Sequence, residues 1–208
     1  MSAAALAALE ATDLACVRGG RPVFSGLDFR IEAGTALALE GPNGAGKTSL
    51  LRMIAGFLTP LAGTIRIETK SGTIADAEER GHLIGWLAHQ DGIKPQLTAA
   101  ENLAFYARLY GGEGDIAKAL GDVGLARARD LPGQYLSAGM KKRLALARLK
   151  LSSRPLWLLD EPLAALDVAA KQLAAGMIAQ HCAKGGIAIA ATHEPLGLDC
   201  EKLVLGAA

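Results

Sequence analysis

The sequence predicts an α/β fold, with parallel strands and helices forming a core, an antiparallel β segment before it and an α-helical subdomain inserted into it. Three observations point there. A strand candidate, a glycine-rich loop and a helix candidate follow one another directly between Thr35 and Ala55. Short apolar runs that end in polar residues recur at Leu83 to His89, Leu156 to Leu159 and Ile187 to Thr192, as strands buried on both faces do. Between the first two of these runs lies a stretch, Asp91 to Ser152, whose apolar spacing is helical throughout.

Taken in order, Leu9 to Val17 and Val23 to Ile31 read as two strands joined by a turn at Gly19-Gly20, with Phe24, Leu27, Phe29 and Ile31 supplying apolar positions in the second. The strand Thr35 to Glu40, the loop and a helix over Ser49 to Ala55 follow, and Gly56 closes the helix. Gly63 to Glu68 alternates as a further strand, and the polar, glycine-containing Lys70 to Arg80 is expected to be a surface loop. Thr98-Ala99-Ala100-Glu101 is a capping box that opens a helix through Tyr110, with Leu103, Tyr106, Ala107 and Tyr110 on one face. A second helix covers Ile116 to Val123, a loop runs from Gly124 to Tyr135, and a third helix runs from Ser137 to Leu151, short of Pro155. The core resumes with the strand at Leu156, a helix over Ala169 to Ala183 broken by Gly185-Gly186, the strand at Ile187 and a last short strand over Lys202 to Leu205. The expected organisation is one domain over 1–208, its core about 1–90 and 153–208 and its helical subdomain about 91–152.

Composition narrows the possible roles. A chain of 208 residues, half of them hydrophobic, can bury a core without disulfides or metal. The formal net charge of +1 gives no nucleic-acid footprint, and the cluster Lys141-Lys142-Arg143 is expected to be a solvated helix face. Cys16, Cys182 and Cys200 are far apart, without zinc or C-x-x-C spacing, which suits idle thiols in a reducing compartment. The apolar start lacks a basic region and meets Glu10 early, so no signal peptide is expected. No run approaches the roughly 20 apolar residues of a membrane-crossing helix, so a cytoplasmic chain is expected, held at a membrane only through a partner.

The chemistry centres on Gly41-Pro42-Asn43-Gly44-Ala45-Gly46-Lys47-Thr48, which fits G-x-x-x-x-G-K-[ST] between a strand and a helix. Its glycines let successive N–H groups turn inward, and the helix N-terminus adds partial positive charge, so the loop can cradle phosphates. Lys47 is placed to reach the β- and γ-phosphates of a nucleoside triphosphate, and Thr48 to ligate Mg²⁺ through its hydroxyl. Glu40, Gln90, Asp160 and His193 stand at the ends of apolar strands, where ligands of parallel α/β sheets bind. Asp160 fits a carboxylate behind Mg²⁺, and Glu161 a general base that polarises water.

One further stretch, Leu136-Ser137-Ala138-Gly139-Met140, taken alone is an ordinary helix start with an N-cap serine. In company with the motifs above it resembles the L-S-G-G-Q signature of the ATP-binding subunits of ABC transporters. Gln90 is similar to that family's Q-loop residue, Asp160 and Glu161 to its Walker B pair, Ala165-Leu166-Asp167 to its D-loop and His193 to its switch histidine. The motifs come in the family's order and cover practically the whole chain. The resemblance implies a RecA-like P-loop NTPase core that binds ATP with Mg²⁺ and works as a homodimer. ATP would lie between one phosphate loop and the partner's Ser137 and Gly139, with Asp167 among the nucleotide contacts. Glu161 would be the base, His193 would hold the γ-phosphate and water, and Gln90 would couple Mg²⁺ to the helical block. Two departures stand out: Ala138 and Met140 replace Gly and Gln, and Arg18 stands where the family carries an aromatic that stacks on adenine.

Within the family the sequence is similar to the ATP-binding subunit of the haem exporter of cytochrome c maturation. The residues that carry this are Phe24-Ser25-Gly26-Leu27, His89-Gln90-Asp91-Gly92-Ile93-Lys94 with Leu97-Thr98 and Glu101-Asn102-Leu103, then Leu156-Trp157-Leu158-Leu159-Asp160-Glu161-Pro162 and Gly185-Gly186-Ile187. That resemblance implies an integral membrane permease subunit as partner, docked near Gln90 to Gln96. It also implies a peripheral position on the cytoplasmic face of the bacterial inner membrane, and ATP hydrolysis that powers haem export or release of haem from a periplasmic chaperone. His82, His89, His181 and His193 are isolated, so no haem ligand is expected in this chain. Two alternatives remain: the ATPase subunit of another ABC exporter, and a soluble ABC ATPase of the iron–sulfur assembly type.

Overall fold

A computed structural model describes residues 5–88, 90–111 and 114–206. Nine strands and six α-helices occur among them. The strands β1 (Leu6–Arg18), β2 (Arg21–Glu32), β4 (Ala62–Thr69) and β5 (Gly72–Ile74) form an antiparallel sheet in the order β2-β1-β4-β5. The strands β3 (Ala36–Glu40), β6 (Ile84–Leu87), β7 (Leu156–Asp160), β8 (Ile187–Ala191) and β9 (Glu201–Val204) form the second sheet in the order β6-β7-β8-β3-β9. Every pairing in that sheet is parallel, so the carboxyl ends of its strands share one edge.

The period of two along these strands separates two cores. Leu37, Leu39, Leu156, Leu158, Ile187 and Ile189 face helix α1 (Lys47–Ile54) and the antiparallel sheet. Ala36, Ala38, Trp157, Leu159, Ala188 and Ala190 face the helices on the other side. Those are α3 (Ala99–Leu109), α4 (Ile116–Asp122), α5 (Ala138–Ser152) and α6 (Val168–Ala183). Because β7 and β8 are buried on both faces, their sequences are apolar runs, interrupted only by Asp160 at the end of β7.

Helix α5 is the hub of the helical block. It packs on α3, α4, α6 and β6, and every residue from Leu144 to Leu149 is buried. Burial all round suits such a central position, and the one charged residue in that run, Arg148, donates to the Asp91 carbonyl. Thr98 and Glu101 make the expected capping box of α3, and Asp115 caps α4.

Two sequence expectations are overturned. The segment Lys70 to Arg80 is no surface loop, since it holds β5 and most of the short helix α2 (Ala77–Gly81), capped by Asp76. Arg80 turns inward and donates to the carbonyls of Ile54, Ile65 and Ala75, so its guanidinium closes off unpaired backbone between two elements. Nor is Lys141-Lys142-Arg143 a solvated face. Lys142 is buried against Asp91, 2.9 Å away though off the axis of a hydrogen bond, and Arg143 donates to the carbonyls of Val123 and Gly124. Cys16 and Cys182 are buried free thiols, and burial raises the pKa of both. His89 lies outside the described residues, as do residues 1–4 of the chain start. Among the described residues, no helix is long and apolar enough to cross a membrane.

Candidate nucleotide-binding site

The loop from Gly41 to Thr48 leaves the carboxyl end of β3 and enters α1. Gly46, with φ +99°, is the residue before the first helical one, a backbone shape that glycine adopts without strain. Pro42, Asn43 and Gly44 are exposed at the loop crest, whereas Ala45 is buried and its N–H donates to the Pro42 carbonyl. Lys47 lies back across the loop, its Nζ donating to the carbonyls of Gly41 (2.6 Å) and Pro42 (3.2 Å). The ammonium is thereby held at the mouth of the cradle, on a stem that is itself buried.

Thr48, in the first turn of α1, donates its hydroxyl to Asp160 at the end of β7, 3.1 Å and 3.2 Å from the two carboxylate oxygens. Asp160 is buried. A hydroxyl and a carboxylate brought together from opposite elements are hard oxygen donors, and they fit Mg²⁺ with its retained waters.

Glu161 follows immediately, with φ +51°, and its N–H donates to the Ala191 carbonyl at 2.9 Å. A left-handed conformation at a residue with a side chain is uncommon, and here it turns the chain sharply as it leaves the sheet. The Glu161 carboxylate then lies 3.3 Å from Nε2 of His193. His193 is presented by a tight turn after β8. The Thr192 N–H donates to the Leu39 carbonyl, its hydroxyl donates to the Glu194 carbonyl, and the Glu194 N–H donates back to that hydroxyl. The carboxyl ends of β3, β7 and β8 therefore gather an anion cradle, a metal-compatible oxygen pair and an acid–imidazole pair on one edge.

The remaining site candidates stand apart from this cluster. Gln90 is exposed three residues beyond β6. The neighbouring Asp91 is held against α5 through Lys142, and its carbonyl accepts from Arg148 at 3.0 Å. The Ser137 hydroxyl caps α5 by accepting from the Met140 N–H at 3.2 Å, and Asp167 caps α6 by accepting from the Ala170 N–H at 2.8 Å. A Cβ on Gly139 would stand 2.8 Å from the Ala165 carbonyl, so the start of α5 touches the segment before Asp167. Among the described residues no hydrogen bond joins Ser137, Gly139 or Asp167 to the phosphate loop. Glu40 does adjoin the cluster, at the end of β3 directly before Gly41, but its carboxylate is taken up by an ion pair with Lys202, 2.8 Å away.

Supports of the loop that no sequence motif announces come from β2 and from the chain after β9. Val23 and Phe24 lie against Gly46, and the Leu205 carbonyl approaches Gly41 closer than any side chain would allow. Arg18 is exposed at the end of β1, paired with Arg21 across the hairpin.

The family model described as ABC transporter matches residues 24–164. The chain is 50% identical to the Cytochrome c biogenesis ATP-binding export protein CcmA of Rhodopseudomonas palustris (strain BisB5), over 96% of this chain and 98% of that one. It is also 50% identical to the protein of the same name from Bradyrhizobium diazoefficiens, over 92% and 94%. Among solved structures, an ABC transporter ATP-binding protein from Pyrococcus furiosus superposes with a TM-score of 0.82 at 27% identity, over 96% of this chain and 98% of that one.

Proposed function

This chain belongs to the ABC transporter family, and we propose from that premise that it is the ATP-hydrolysing subunit of a cytochrome c biogenesis ABC system. The observation that carries the reading is identity of about one residue in two, over nearly the full length of both chains, to proteins named for that task. In this reading the chain powers haem export or the release of haem from a periplasmic chaperone.

The residues act as follows. Backbone N–H groups of Gly41 to Thr48 hold the β- and γ-phosphates of ATP, and Lys47 exchanges its loop carbonyls for phosphate oxygens. The Thr48 hydroxyl with Asp160 behind it would hold Mg²⁺, Gln90 would be a further ligand once its segment closes in, and the ion would supply positive charge to the phosphates. Glu161 accepts the proton of the attacking water, and His193, 3.3 Å away, holds the γ-phosphate and that water in line. Ser137 and Gly139 serve the nucleotide of a second copy of the chain, which explains why neither bonds to its own phosphate loop. Asp167, at the start of α6, lies in the segment that meets the partner. Loss of the γ-phosphate removes the contact that bridges the copies, and the dimer opens.

An integral membrane permease subunit completes the machine. It docks beside Gln90 to Gln96 and keeps the chain at the cytoplasmic face of the inner membrane. Asp91, tied to α5 through Lys142 and Arg148, links that docking segment to the helix that begins with the signature. The core over about 1–90 and 153–208 and the helical subdomain over about 91–152 are the two bodies this motion involves.

Purification of the tagged chain from membranes, with identification of the co-purifying polytopic protein, tests the reading. A cytochrome c biogenesis permease is the expected partner. A drug or lipid exporter subunit, or soluble iron–sulfur assembly proteins alone, would contradict it.

A further inference from the structure

The end of the parallel sheet away from the phosphate loop holds a cavity of about 510 Å³. Its walls are the residues before β7 and β8, the last turns of α5 and α6, and Lys70 after β4. The strand β7 is five residues long, which puts this opening roughly 15–20 Å from the edge where Asp160 and Glu161 stand. Nothing in the proposed ATPase cycle uses it.

Three features describe what it would hold. Among the described residues, Lys70, Lys150, Arg154 and Lys184 line it and no carboxylate does. Lys150 is paired with Asp122, and the carboxyl ends of α5 and α6 each contribute roughly half a negative charge. About two positive charges remain uncompensated after those subtractions. Second, Trp157 and His181 stack face to face, with centroids 3.9 Å apart, as a flat wall. The wall is built in: the His181 Nε2–H is shared between the carbonyls of Pro155 and Ile187, and Gly186 lies so close to the ring that no side chain fits there. Third, Trp157 is part of the cavity wall together with the apolar Leu6, Leu149 and Met177, a lining that suits the organic part of an ester.

We propose that this cavity is a binding site for a phosphate-bearing ligand, remote from the nucleotide. A phosphate monoester carries a charge of about −1.5 to −2, which matches the residual charge, and its organic part suits the apolar wall. The same chemistry is offered by a soluble phosphate ester and by the headgroup of an anionic phospholipid.

The test uses the full chain with Trp86→Phe, so that Trp157 is the one indole, and with ADP filling the phosphate loop. Glycerol phosphate is titrated while Trp157 fluorescence is followed, and co-sedimentation is measured with phosphatidylcholine vesicles with and without phosphatidylglycerol. A saturable fluorescence change with glycerol phosphate identifies a soluble ligand. Retention that requires phosphatidylglycerol identifies a headgroup. In either case Arg154→Glu with Lys184→Glu is expected to weaken binding by about tenfold or more while ADP affinity is unchanged. No response in either arm, or a response that survives the charge reversal, overturns the proposal.

Discussion

Replacing Gly46 by Ala probes how the phosphate loop is held. A Cβ at that position would stand 2.6 Å from Cγ1 of Val23 and 2.9 Å from Cδ1 of Phe24, where carbon atoms ordinarily rest at about 3.5–4.0 Å. Roughly 1 Å of overlap must be relieved by moving β2 or tilting the start of α1, at a cost of about 1–3 kcal/mol. The backbone at φ +99° adds about 1–3 kcal/mol of strain once a side chain is present. Gly44→Ala separates the two costs, because Gly44 also has positive φ, +88°, but among the described residues nothing lies within 4 Å of an added Cβ. For a chain of this size each kcal/mol moves the melting temperature by about 2–4 °C. Gly46→Ala is therefore expected to melt on the order of 5–20 °C below the native protein, and Gly44→Ala to lose roughly half as much. Thermal unfolding with and without ATP reads both variants. Equal shifts would refute the claim that β2 braces the loop, and an unchanged melting temperature for Gly46→Ala would refute the loop conformation itself.

Three other outcomes are expected. Lys47→Ala should lower ATP turnover by about 10²-fold or more while the fold persists, because the cation that meets the phosphates is lost; steady-state hydrolysis checks it. Gly139→Val should lower turnover of the assembled dimer yet leave single-chain ATP affinity near native, since Gly139 contacts Ala165 and not its own phosphate loop; binding and turnover measured side by side separate the two. The pKa of His181 is lowered by burial, so its contribution to stability is present above about pH 6.5 and is lost as pH falls through the lower folded value. Urea midpoints should therefore drop between about pH 7.5 and pH 5.5, and His181→Gln should flatten part of that slope; an unaltered slope would remove His181 as its source.

Much of the site was legible because its motifs are local. The phosphate loop, the capping box at Thr98 and the pair Asp160-Glu161 after an apolar strand each carry their signal within a few residues. The parallel sheet then made the spatial meeting of Thr48, Asp160, Glu161 and His193 a consequence of strand ends sharing an edge. What sequence could not show is where a charged side chain finds its partner. Arg80 and Lys142 read as solvated because charge ordinarily is, yet one is spent on backbone carbonyls and the other on Asp91. Glu40 shares the strand-end position of the site residues, but Lys202 of the neighbouring strand takes it up, a pairing that depends on strand order. The bracing of the loop by Val23, Phe24 and Leu205 also joins segments distant in the chain, and no local motif marks it.

The central claim is that ATP hydrolysis by this chain drives cytochrome c maturation. Its most direct test is haem staining of membrane c-type cytochromes in cells whose only copy carries Glu161→Gln. The variant should still bind ATP and stay at the membrane, held in the closed dimer, because the phosphate loop and the Thr48–Asp160 contact are untouched. The account predicts that covalent haem disappears from the c-type cytochromes of those cells. Normal haem staining with the variant at native abundance would contradict it.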